Sequence, residues 1–404
     1  MQIINPINYE NWDSMLVDLP DATIFHTSAW ARTLSESYQY TPTYFTLFDG
    51  GKIVALIPFM DVNSWLTGHR GISLPFTDYC DPISSTEIDF SGMFESIVAH
   101  GKKSGWKYLE LRGGSTSFLD PRTSNLGSPT NSTNQPINQS TTLPGGQTGQ
   151  PINQFNGCCC SNQLNQSNQC NCSVPSSPST SHLPPSTSFY GHILDLSPGE
   201  KTVYSNLRDS TRRNIKKAIS EGVGVKVLNS LEAIKEFYKL NCITRKEHGL
   251  PPQPFHFFKK IYEHIVSKNL GFVALAYYKH KAIAGNVYFH FGDKAVYKYG
   301  ASDKQYQHLR ANNLLMWEAI KWYCENGFTT LCLGRTDLDH HGLRQFKTGW
   351  GTVEHMINYY KYDLTRNAFV SNNHKVSKFS HTVFSKMPIS ALQLIGSFLY
   401  RHVG

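Results

Sequence analysis

The chain has 404 residues, 40% of them apolar, and 38 Lys and Arg against 30 Asp and Glu give a formal charge of +8. That length predicts two or three domains with sizeable cores, and the modest basic excess favours anionic partners without approaching a histone-like composition. No run of about 18 apolar residues occurs, which excludes a spanning helix; Met1–Leu16 lacks the basic and apolar stretches of a secretory signal, so the chain reads as cytoplasmic with its nine cysteines reduced.

The first organised stretch is Phe25-His-Thr-Ser-Ala-Trp30. Pro42–Phe48, the turn Asp49-Gly-Gly-Lys52 and Ile53–Phe59 then read as strand, tight turn, strand. After Leu74-Pro-Phe-Thr-Asp78-Tyr79 comes a helix from Phe94 that stops at Gly105, a glycine at the C′ position, and a buried strand ending Leu109-Glu-Leu111. Trp30, Asp78 and Tyr79 suit core or loop structure as readily as a site.

Composition breaks at about Ser115. From Thr123 to Ser188 there is no Asp, Glu, Lys or Arg, and Gln-Pro-Ile-Asn-Gln occurs twice. Such a tract buries too little apolar surface to offset its chain entropy, so 115–188 is expected to be a disordered, dispensable insert. Five of the nine cysteines fall in it, as Cys158-Cys-Cys160 and Cys170-Asn-Cys172. Without paired C-x-x-C knuckles they are not expected to hold a metal.

Beyond the insert, the helix after Pro198 carries Arg208, Arg212, Arg213, Lys216 and Lys217 against Asp209 alone. Spacings of four align Arg208, Arg212 and Lys216, with Arg213 and Lys217 beside them, while Val203, Leu207, Ile215 and Ile219 turn inward. This face suits phosphate on a tRNA acceptor stem or on a nucleotide-linked or lipid-linked acceptor; a merely solvated helix is the plainer reading. A helix over Leu231–Thr244 leads to Arg245 and His248, candidate substrate contacts, before the punctuated Gly249-Leu-Pro-Pro252.

Strands at Phe272–Tyr278, Ala282–Phe289 and Ala295–Tyr299, a helix from Met316 to Gly327 and a strand at Thr330–Leu333 repeat the order of the first half. Gly105, Trp106, Leu109 and Leu111 correspond to Gly327, Phe328, Leu331 and Leu333. The chain therefore reads as a duplication: 1–114, completed by about 189–196, then 197–362, then a tail, 363–404, with an amphipathic helix. Each unit is an α+β layer in which antiparallel hairpins feed a helix-crossed parallel strand, an order compatible with the acyltransferase fold called GNAT.

Arg335, Asp337, His340 and His341 follow the strand at 330–333, where α/β sheets bind ligands. Asp337 or a histidine suits the acceptance of a proton from an attacking amine. Asp-x-Asp-His-His also has the look of a hard-metal cluster, although no metal is expected.

Six stretches together resemble the FemAB-like branch of the GNAT superfamily: Phe25–Trp30, Leu74–Tyr79, Arg245-Lys-Glu-His-Gly-Leu-Pro251, Tyr297-Lys-Tyr-Gly-Ala-Ser302, Gly334-Arg-Thr336 and Gly342-Leu-Arg-Gln-Phe346-Lys347-Thr-Gly349-Trp-Gly351. The resemblance covers nearly the whole chain outside the insert. It implies two tandem GNAT-like domains, each a mixed, mostly antiparallel sheet with flanking helices; the active site is expected in the second, because only that unit keeps charged groups, Arg335, Asp337 and Lys347, after its buried strand. It implies amide-forming transfer of an acyl or aminoacyl group to an amine, on a cell-envelope precursor such as that of peptidoglycan, or on a polysaccharide. No permanently bound cofactor is expected, and the donor is aminoacyl-tRNA or acyl-CoA, which makes tRNA a candidate partner. Lys347 matches a lysine associated with the substrate site, where a cation would stabilise the oxyanion, and Phe346 and Arg335 are expected to touch substrate.

One stretch departs from the pattern. Users of coenzyme A hold its pyrophosphate in a loop resembling Gln/Arg-x-x-Gly-x-Gly/Ala, and here Lys304–Asn313 has no glycine, which argues against acetyl-CoA. An acyl-CoA-dependent N-acetyltransferase and a non-catalytic binder of phosphate-bearing polymers are the alternatives. The C-terminal stretch Ile389–Leu399 is expected to pack on its own domain or to rest on the inner face of an anionic membrane.

Overall fold

A computed structural model describes residues 1–86, 88, 90–113, 185–371 and 383–403. The expected disorder of 115–188 thus lies outside the described residues, except at its end, where a strand already begins at Thr187.

The first half contains β1 (Gln2–Ile4), β2 (Thr41–Asp49), β3 (Lys52–Ser64), β4 (Gly68–Ile72), β5 (Ile83–Ser84) and, after the helix Ser91–Lys103, β6 (Tyr108–Gly113). The second contains β7 (Thr187–Asp195), β8 (Gly224–Leu228), β9 (Gly271–Tyr278), β10 (Lys281–Phe291), β11 (Lys294–Ser302), the helix Ala311–Glu325, β12 (Thr330–Cys332), β13 (Thr336–Asp337), β14 (Val353–Asp363) and β15 (Ala368–Val370). The duplication is visible in the pairing. In each half three antiparallel strands are followed by a crossover helix and a strand that pairs in parallel with the third, β6 on β4 and β12 on β11. Both crossover helices end at a glycine that tolerates a left-handed backbone, Gly105 at φ +76° and Gly327 at φ +77°.

The halves join into one sheet whose order is β1-β2-β3-β4-β6-β14-β7-β12-β11-β10-β9-β8. The expectation that 189–196 closes the first half needs correction. The strand beside β6 is β14, from near the end of the chain, and β7 lies one place further, against β14 and β12. Eleven residues long, β14 spends its first seven on β7 and its last six on β6, overlapping at Asn358 and Tyr359.

One core also spans both halves. Trp30, fully buried, packs its ring 6.2 Å from Phe257 and 5.8 Å from Phe289. Thr27 caps the helix Ser28–Tyr38 by accepting from Trp30 N, so much of the Phe25–Trp30 motif is structural. The C-terminal helix Ile389–Val403 packs on its own chain: Arg70 Nη2 donates to His402 O at 2.9 Å, and a Cβ on Gly396 would meet Pro252 O at 2.0 Å. Among the described residues no helix is long and apolar enough to cross a membrane.

Candidate active site

The parallel pairing of β11 and β12 covers only Lys294–Val296 and Thr330–Cys332. Past that point β11 stays with β10, while the chain after β12 turns away at Gly334, φ +71°. The strands splay, and a cavity of about 340 Å³ opens between Tyr297–Gly300 on one side and Leu333–Arg335 on the other. Lys347, from the helix His341–Thr348, lines it together with Asp78 from the first half and Arg245 and His248 from the end of the helix Leu231–Glu247. That helix is one turn longer than the sequence suggested, so Arg245 sits on it and His248 caps it.

Lys347 is not a solvated surface lysine. It is 3% exposed, and its Nζ donates to Gly334 O at 3.0 Å and Arg335 O at 2.8 Å. Burial, only partly offset by the carboxylate of Asp78, lowers its ammonium to about 8. Lys298, from β11, puts Nζ 3.2 Å from Asp78 Oδ2. Burial lowers Lys298 as well; for Asp78, burial alone would raise the carboxyl, but the charges of Lys298, Arg335 and Lys347 outweigh it and hold it below its ordinary range. Arg335 stacks over Phe189, 4.3 Å from the ring centroid, and donates to the hydroxyl of Tyr359, which donates in turn to Asp78 O at 2.6 Å. The cavity therefore holds four cations, Arg245, Lys298, Arg335 and Lys347, around one carboxylate, and favours an anionic guest.

A second cavity, of about 290 Å³, lies at the N-terminus of the helix Ala311–Glu325. Arg208, Thr211, Asn214, Arg310 and Phe346 are among the residues around it. The glycine-free loop closes as a short 3₁₀ turn, Lys304–Leu309, and the left-handed position before the helix is filled by Arg310 at φ +59°. Thr211 Oγ1 and Arg208 N both donate to Gly349 O at 3.0 Å, which docks the Gly349-Trp-Gly351 bend onto the start of the helix Asp209–Ser220. Phe346 and Lys347, adjacent in sequence, consequently line different cavities.

Other expected site residues stand elsewhere. Asp337 is exposed on β13 and lines neither cavity; its charge reaches Lys347 only at a distance, and the carboxylate at the cavity is Asp78. His340 caps the helix His341–Thr348 by accepting from Leu343 N at 3.2 Å, and neither it nor His341 lines either of the two cavities. Of the basic stripe, Arg208 alone lines either of these two cavities. Arg212 donates to Ser205 O at 2.6 Å and pairs with Asp209, Arg213 and Lys217 are exposed on the open surface, and Ile219, expected to turn inward, is exposed. Lys298 and Tyr359 were not singled out in the sequence; Lys298 does fall within the Tyr297–Ser302 motif, while Tyr359 carries no local signal.

A three-strand hairpin array, a crossover helix and a splayed parallel strand pair with a cavity in the fork are the features of the GNAT fold. The profile of the GNAT acetyltransferase domain matches residues 205–347, which hold both cavities' helices and Lys347. More narrowly, the chain resembles FemAB-like proteins in a short stretch of sequence and in overall fold. It is 37% identical over 76 residues to a lipid II:glycine glycyltransferase of Staphylococcus epidermidis, and 34% identical over 76 residues to one of Staphylococcus aureus. Each alignment covers 17% of this chain and 18% of the relative, so the match spans less than a fifth of those proteins. In overall fold it superposes on a crystal structure of FemX with a TM-score of 0.59 at 13% identity, covering 89% of this chain and 97% of that one.

Proposed function

We propose that the chain joins an acyl or aminoacyl group to the amine of an anionic cell-envelope precursor, forming an amide. The observation that carries this reading is the position of Lys347: a buried ammonium, fixed by two backbone carbonyls, at the fork of β11 and β12. A donor carbonyl placed in the fork develops negative charge as the amine attacks, and a preorganised cation there stabilises the transition state more than the ground state. Asp78 is the carboxylate within the same cavity; held ionised by Lys298, Arg335 and Lys347, it suits orienting the attacking amine as a hydrogen-bond acceptor, and the proton lost as the C–N bond forms passes to solvent. Arg245, Lys298 and Arg335 give the cavity the charge to hold a phosphate-bearing acceptor. The relatives' name carries lipid II as acceptor and glycine as the transferred group, which agrees with that charge.

The second cavity is the donor side of this reading. With no glycine to let a pyrophosphate approach the backbone, and with Arg310 in the left-handed position, it suits the 3′ end of an aminoacyl-tRNA better than coenzyme A. Single-turnover transfer of a labelled amino acid from aminoacyl-tRNA to a lipid-linked muropeptide tests the proposal. Label in an amide product, lost in Lys347→Met, is the expected result. Transfer from acetyl-CoA alone would move the donor assignment to acyl-CoA, and affinity for the acceptor without turnover from either donor would overturn the reading.

A further inference from the structure

We propose that the face formed by the turn at 64–68 and the outer side of the helix Ile389–Val403 docks on an anionic bilayer surface. Trp65 is 75% exposed and Leu394 73%, and Leu66 and Phe398 are exposed beside them. The rings of Trp65 and Phe398 lie 6.1 Å apart, so the apolar residues of the turn and of the helix form one patch. Along the helix, Leu394, Phe398 and Arg401 recur at intervals of four and three residues, which puts them on a single stripe. Single exposed apolar side chains are ordinary, whereas a tryptophan, a phenylalanine and two leucines together call for an occupant.

Charge identifies that occupant. No Asp or Glu occurs after Asp363, and none in Ser64-Trp-Leu-Thr-Gly68. Lys386, three residues before the helix, and Arg401, in its last turn, are exposed, and the side chain of Lys107 lies against Gly68, where an added Cβ would meet its Cδ at 2.9 Å. An amphipathic helix with Leu and Phe on its outer stripe, a cation just before it and one in its last turn, and an adjacent tryptophan is what seats at the boundary between phosphate headgroups and acyl chains. The inner side of the same helix leads to the cavity: Arg245 Nη2 donates to Tyr400 OH at 2.7 Å, and Arg245 lines the cavity with Lys347. A bilayer on the outer stripe therefore lies one helix away from the cavity wall, within reach of a lipid-linked acceptor.

This inference goes beyond the proposed acyl transfer, and its test needs neither donor nor acceptor. The full chain is co-sedimented with phosphatidylcholine vesicles prepared with and without phosphatidylglycerol. The expected result is partition onto the anionic vesicles, with Leu394→Ser combined with Phe398→Ser lowering it roughly tenfold at unchanged net charge, thermal midpoint and circular dichroism. Lys386→Gln combined with Arg401→Gln, which keeps the apolar residues, is expected to weaken binding and flatten its salt dependence. Wild-type partition by the Leu394/Phe398 variant would place binding elsewhere, on the basic helix Asp209–Ser220 for example, and overturn the proposal. So would absence of partition onto either vesicle, or a dimer in sedimentation equilibrium that the same variant dissociates.

Discussion

Lys298 Nζ lies 3.2 Å from Asp78 Oδ2 across 220 residues of sequence, and the pair ties the two halves of the chain together at the cavity. Removing one member of a buried pair strands the other charge, at a cost of about 3–5 kcal/mol, while replacing both removes the imbalance. Asp78→Asn is therefore expected to lower stability in urea unfolding by an amount in that range, and Asp78→Asn with Lys298→Met to recover part of it. Because the folded Asp78 carboxyl sits below its ordinary 3.8, the contribution is present at neutral pH and is lost as pH falls below that value. Equal stability of the single variant and the wild type at pH 7 would show that the pair is not buried as described.

Lys347 must be charged to stabilise an oxyanion, and its ammonium titrates at about 8. The rate of the chemical step is expected to hold below pH 8 and to decline above it as the lysine loses its proton. Lys347→Arg keeps the charge and should abolish that decline, whatever its effect on the maximum rate. Lys347→Met should cost roughly a hundredfold in single-turnover rate. It should also lower the thermal midpoint, because the carbonyls of Gly334 and Arg335 lose their donor, at about 1–3 kcal/mol for each group left unsatisfied.

The cavity at the helix Ala311–Glu325 binds the donor in our reading, and Arg208 and Arg310 are its cations. Calorimetry should show weak or no binding of acetyl-CoA. Arg208→Ala should raise the donor concentration needed for half-maximal rate without changing that for the acceptor. Arg213→Ala with Lys217→Ala, on the open face of the helix Asp209–Ser220, should leave the chemical step intact and act only on the salt dependence of tRNA affinity.

The uncharged tract can be removed on geometric grounds. Gly113 and Ser188 both pair with Asn358, on opposite sides of β14, so the end of β6 and the start of β7 are two strand spacings apart, roughly 10 Å. Deleting 124–182 leaves ample chain to span that gap and keeps Ser186, which donates to Tyr359 O. The thermal midpoint should stay within a few degrees and transfer should be unchanged; a collapse in soluble yield would show that the tract packs.

The sequence alone determined the local units. Alternating apolar runs around Asp49-Gly-Gly-Lys52, helices ended by Gly105 and Gly327, and the matched pair Trp106–Leu111 and Phe328–Leu333 are set by backbone preferences and periodicity within about twenty residues, so the duplication and its α+β order are legible without coordinates. Lys347 was legible through its motif. Its burial was not, because that depends on how Gly334 turns the chain back over it. Asp78 and Lys298 lie in two of the family-like motifs but 220 residues apart, and Asp337 looked the better carboxylate because it directly follows the strand at 330–333, where α/β sheets bind ligands. Only the packing of the first half against the second decides which carboxylate enters the fork. Likewise β14 separates β6 from β7 because strand pairing depends on which edge is free when the sheet closes, a long-range condition that local propensity does not encode.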